Sequence, residues 1–139
     1  MEAIYTASAT ATGDGRNGHV RSADGVLDFD LAIPKEMGGP GGALTNPEEL
    51  FAAGYAACFH SALKAAARLS KTTVTDTAVT IDIGVGRTDD GRFQLQATIE
   101  AEINGVDEPT ARQLLEAAHQ LCPYSNATRG NIEVQLSLA

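Results

Sequence analysis

Tryptophan is absent from this sequence, and only four phenylalanines and three tyrosines occur among its 139 residues. A core with so few rings must be built mainly from Ala, Val, Leu and Ile. Cations are also scarce: ten Lys and Arg stand against 18 Asp and Glu, a formal net charge of −8. Nucleic-acid binding rests on clustered Lys and Arg, so this balance argues against a nucleic-acid partner, and equally against an anionic membrane surface. Long apolar runs are missing. The most apolar stretch, Leu50 to Phe59, has ten residues and stops at His60, whereas a membrane span needs about 20. The N-terminal residues lack a basic segment followed by an apolar run, so they do not read as a signal peptide, and the expected location is cytoplasmic. The three histidines, His19, His60 and His119, are scattered. No pair has metal-ligand spacing with a cysteine, and no CxxC is present, so a metal site is not expected.

What is present fits a single domain over residues 1–139, the size at which compact domains are commonest. Ile4 to Thr12, His19 to Ser22 and Val26 to Leu31 read as three strands of an antiparallel meander around the Gly13–Gly18 turn. A glycine- and proline-rich connector, Pro34 to Gly42, follows. Asn46 is then a good N-cap, Pro47 suits the first helical position, and Glu49 falls where a capping-box carboxylate belongs. A helix is predicted from Pro47 to about Ser70. Apolar residues cover most of its circumference, which predicts burial all round. Small residues at 53, 54, 57, 58, 61 and 62 permit a close helix–helix approach.

Ala78–Val85 and Phe93–Ile103 alternate about an Asp89-Asp90-Gly91 turn and predict a hairpin. A second helix is predicted over Thr110–Leu121, ended by Pro123, and a last strand over Ile132–Leu138. The expected class is α+β, with antiparallel sheets around a long central helix.

Two cysteines carry the candidate chemistry. A permanent disulfide is unexpected in a reducing compartment, leaving a pair of buried free thiols, unrelated surface thiols or a redox couple. Cys58 lies twelve positions past the N-cap, beyond reach of the helix dipole, and apolar surroundings raise a thiol's pKa. Reactivity therefore requires a positive charge from elsewhere. Arg16, in the turn Gly15-Arg16-Asn17-Gly18, can supply it, and Glu48 can be its carboxylate partner. The alternative is that Arg16 is a solvated turn residue and Glu48 a surface acid. Glu48 and Cys58 are ten residues apart, about 15 Å along one helix. Two such helices crossing about a two-fold axis would bring Glu48 of one chain to Cys58 of the other, which predicts an obligate homodimer with composite sites. Cys122, before Pro123, sits at a helix end. That suits either a resolving thiol or a packed core cysteine.

Two longer motifs narrow these choices. Asn46-Pro47-Glu48-Glu49-Leu50-Phe51-Ala52-Ala53-Gly54-Tyr55-Ala56-Ala57-Cys58-Phe59 resembles the first cysteine segment of the organic hydroperoxide resistance proteins of the Ohr/OsmC superfamily. Cys122-Pro123-Tyr124-Ser125-Asn126-Ala127-Thr128-Arg129-Gly130-Asn131 resembles their second. The resemblance implies a peroxidatic Cys58, a resolving Cys122, and an Arg16–Glu48 pair that keeps the thiolate reactive. It implies an intertwined homodimer that reduces alkyl and lipid hydroperoxides and is recycled by lipoylated proteins or dihydrolipoamide. No metal, flavin or haem is needed. Met37, Phe51, Tyr55, Phe59 and Tyr124 are candidate walls of a substrate pocket. Glu49 departs from the family, which often has Gln there. Two other readings stand beside this one: a redox sensor acting through the disulfide, and a non-catalytic ligand-binding dimer with packed thiols.

Overall fold

Short alternating segments separated by glycine turns give the first part of the chain its sheet. The computed structural model describes residues 1–139 in two units, Met1–Leu50 and Phe51–Ala139. In the first unit, β1 (Ala9–Thr12), β2 (His19–Ser22) and β3 (Asp28–Asp30) form an antiparallel sheet in that order. The meander is as predicted, but β1 and β3 are shorter than their sequence patterns. The β1–β2 connection holds one turn of 3-10 helix, Gly15–Asn17. Gly18 closes it: a Cβ there would lie 2.2 Å from the Thr12 carbonyl oxygen, so only glycine fits. The connector after β3 contains a second 3-10 turn, Lys35–Met37.

Helix α1 runs over Pro47–Leu69. Asn46 Oδ1 accepts the Glu49 backbone N–H at 2.8 Å, so the predicted N-cap is in place. The capping box is not. Glu49 instead accepts the Thr45 hydroxyl at 3.0 Å. Burial of α1 is one-sided rather than complete. Tyr55, Phe59, Ala62, Leu63, Ala66 and Ala67 are buried, whereas Ala53, Ala57 and Ser61 are exposed. The buried set follows the three- and four-residue spacing of one helix face, and Cys58 lies at its edge.

In the second unit, β4 (Thr77–Arg87) pairs antiparallel with β5 (Phe93–Ile103), from Thr77↔Ile103 to Arg87↔Phe93. Alternate β5 residues Ala97, Ile99, Ala101 and Ile103 point into the core. Helix α2 (Glu108–Leu121) starts two residues earlier than predicted, because Asp107 caps it by accepting the Thr110 N–H. Its apolar face (Ala111, Leu114, Leu115, Ala118) joins that core and continues to Cys122. Each larger aliphatic or aromatic side chain buried here contributes about 1.5–3 kcal/mol.

Two features differ from expectation. Pro123 stops α2 but also opens a further helix, α3 (Pro123–Thr128), because proline suits the first helical position. The last strand, β6 (Val134–Leu138), lies parallel to β5, so the second sheet is mixed rather than antiparallel. No helix is long and apolar enough to cross a membrane.

Candidate active site

The first unit contains an ion pair. Arg16 projects from the 3-10 turn, whose position is fixed by three backbone-directed bonds. Asn17 Oδ1 accepts the Ile33 N–H at 2.9 Å, the Gly18 carbonyl accepts the Leu31 N–H at 2.8 Å, and the Gly15 carbonyl accepts the Gly18 N–H at 3.0 Å. The guanidinium meets the Glu48 carboxylate with two parallel bonds, Nη1 to Oε2 at 2.8 Å and Nη2 to Oε1 at 2.7 Å. This two-pronged geometry is the strong form of such a pair. It holds the Glu48 carboxyl below the usual carboxylate range and raises the Arg16 guanidinium further. The Arg16 side chain keeps 39% of its surface exposed, against 13% for Glu48. The cation thus reaches solvent while its partner is nearly covered. Met37, also in this unit, is exposed at the end of its 3-10 turn.

The second unit contains both cysteines. Cys58 is half-buried on α1, and Cys122 is fully buried at the α2–α3 corner; both are free thiols. Cys122 ends one helix and caps the next. Its N–H donates to the Ala118 carbonyl, and its Sγ accepts the Ser125 N–H at 3.5 Å. The two thiols meet: burial first, then a hydrogen bond with Cys122, push the Cys58 thiol up. The Tyr124 backbone acts more weakly in the opposite direction, favouring the thiolate. Within the second unit nothing cationic acts on Cys58.

Aromatic rings surround the corner. Phe51, Tyr55 and Tyr124 have ring centroids 5.6–6.1 Å apart, and Phe59 lies 6.5 Å from Tyr55. Tyr55 and Phe59 have no exposed surface and pack in the core. Phe51 is partly buried, and Tyr124 is 39% exposed. Gly54 makes room for Tyr124, since a Cβ there would lie 3.0 Å from its hydroxyl. Ser125 and Thr128 were missed in the sequence. Both are buried and hydrogen-bonded to the Tyr55 hydroxyl. Their three-residue spacing behind a proline was the available signal, had Pro123 been read as a helix start.

Residues 39–137 match the family model described as OsmC-like protein. The organic hydroperoxide resistance protein of Xanthomonas axonopodis pv. citri is 48% identical over 137 residues, covering 98% of this chain and 95% of its own. The chain belongs to the OsmC-like family, in its organic hydroperoxide resistance branch. Solved structures of that branch superpose closely. The protein from Elizabethkingia anophelis has a TM-score of 0.94 at 50% identity, covering 100% of this chain and 99% of that one. OhrB of Bacillus subtilis has a TM-score of 0.89 at 43% identity, covering 99% and 100%.

Proposed function

We propose that this protein is a thiol peroxidase that reduces organic hydroperoxides to alcohols, working in the cytoplasm as a single-domain chain and an intertwined homodimer. The observation that carries the reading is two free thiols, Cys58 and Cys122, packed against one another at the edge of the same core. The Cys58 thiolate attacks the outer peroxide oxygen, the O–O bond breaks, and the alkoxide takes a proton and leaves as alcohol. Cys58 is left as a sulfenic acid. The Cys122 thiol condenses with it, forming the S–S bond and releasing water. Dihydrolipoamide, free or on a lipoylated protein, restores both thiols by exchange and is itself oxidised to its cyclic disulfide.

Burial works against this thiolate, so Arg16 must reach it. Glu48 and Cys58 lie about 15 Å apart along unbroken α1, which favours delivery of the guanidinium from a second copy. Support for a dimer comes from the first unit, which exposes Ile4, Tyr5, Val26, Leu27, Phe29 and Leu44. The exposed Ala53, Ala57 and Ser61 of α1 would admit a second helix. Phe51 and Tyr124 would face the organic group of the substrate, with Tyr55 and Phe59 behind them.

One observation favours a second reading. A thiol pushed up by burial is what a ligand-binding protein with packed cysteines would contain. Turnover of cumene hydroperoxide with dihydrolipoamide, set against glutathione, separates the two. The peroxidase consumes peroxide with the dithiol, loses all turnover in Cys58→Ser, and reacts once and stalls in Cys122→Ser. Full activity in Cys58→Ser refutes it.

A further inference from the structure

Three buried hydroxyls adjoin the sulfur pair and take no part in the peroxide step. Tyr55 Oη lies 2.8 Å from Ser125 Oγ and 3.1 Å from Thr128 Oγ1, and Thr128 Oγ1 donates to the Ser125 carbonyl at 3.1 Å. The last bond fixes all the protons. Thr128 has spent its hydrogen, so it accepts from Tyr55, and Tyr55 in turn accepts from Ser125. The chain of donors runs Ser125, Tyr55, Thr128 and back to the Ser125 backbone. Tyr55 and Ser125 have no exposed surface and Thr128 only 4%. Phe and Ala would fill such a core without the need to pair hydroxyls. What the hydroxyls add is direction.

That direction bears on the sulfurs. Tyr55 and Cys58 are three apart on α1 and therefore neighbours on its surface. Across from them, α3 presents its backbone, and the Ser125 N–H donates to Cys122 Sγ. The opening of α3 is thus tied to α1 by hydroxyls through Tyr55, and to Cys122 by the Ser125 amide. We propose that Tyr55 is a positioning residue for the thiol pair, its hydroxyl holding the Cys122–Ser125 corner so that Cys122 stays beside Cys58. This rests on Cys58 being the nucleophile.

The test uses the full-length protein carrying Tyr55→Phe, which keeps the ring, and separately Ser125→Ala, which keeps the backbone N–H. Alkylation of Cys58 by iodoacetamide is followed against pH by site-resolved mass spectrometry. Disulfide closure is followed after one equivalent of cumene hydroperoxide. Both variants are expected to slow closure by about tenfold, the value of one lost hydrogen bond, and to move the alkylation midpoint away from the wild-type value. Variants that melt at lower temperature but keep the wild-type alkylation midpoint and closure rate overturn the proposal, since the hydroxyls would then only pack. The alkylation arm needs no turnover. A wild-type protein that fails to consume peroxide refutes the peroxidase, while the midpoint still reports on the positioning. If Tyr55→Phe fails to fold, Ser125→Ala decides.

Discussion

Replacing Glu48 by Gln tests how firmly the Arg16 guanidinium is held. The native pair makes two parallel bonds of 2.7 and 2.8 Å. Glutamine keeps one acceptor and turns an N–H₂ toward the other guanidinium N–H, so one bond is lost, a donor faces a donor, and the surviving bond is no longer between charges. Breaking a fully buried pair costs about 3–5 kcal/mol. Here 39% of the Arg16 side chain stays in solvent, and water recovers much of the loss, which brings the expected cost to about 1–2 kcal/mol. For a chain of this length that is a fall in melting temperature of about 3–8 °C. The pH dependence follows from the depressed Glu48 carboxyl. A carboxylate held below its ordinary pKa stabilises the fold above that ordinary value, and the contribution fades as pH falls toward the folded one. The gap between wild type and Glu48→Gln should therefore be full at pH 7 and close in acid. Paired thermal melts across this range measure it. On the peroxidase reading, the freed guanidinium also lowers peroxide turnover, by about tenfold if the full cost of the pair falls on the reactive state. No gap at pH 7, or a gap that persists undiminished in acid, would refute the ion-pair argument.

Two further outcomes follow from other parts of the fold. His19 touches Asp30 and Asp28 on β3, and these two hydrogen bonds, that with Asp30 the larger, raise its pKa. A raised histidine stabilises the folded state below its ordinary pKa and loses that contribution as pH rises through the folded value. NMR titration should find its midpoint above the ordinary histidine value and lower in Asp30→Asn; an unmoved midpoint would show that Asp30 is not the cause. Gly54→Ala should gain up to about 1 kcal/mol of helix propensity in α1. Its new Cβ meets only the tip of Tyr124, at 3.0 Å, so the melting temperature should hold or rise while the Tyr124 ring is displaced. A marked loss of stability would show that Tyr124 cannot give way.

Local chemistry made much of this fold legible in advance. Alternation gave β5 its full extent, Phe93–Ile103, because one face of that strand is buried. Asn46 and Pro47 marked the start of α1 because a helix's first amides need an acceptor. Two cysteine motifs pointed to the family, since chemistry at a thiol constrains the residues on either side. Pro123 was legible only by half: the same ring that ends α2 begins α3.

Tertiary structure alone decided the rest. Arg16 and Glu48 are 32 positions apart; the sequence offered them as partners, but only packing could bring them together in two-pronged geometry. Whether β6 lies parallel or antiparallel to β5 depends on where the connection through α2 and α3 delivers it. The direction in which Cys58 is pushed depends on burial, on Cys122 and on the Tyr124 backbone. Those influences come from segments more than sixty residues away along the chain. A sequence records which groups are available, but their effect on one another falls steeply with distance, and distance is set only once the elements have packed.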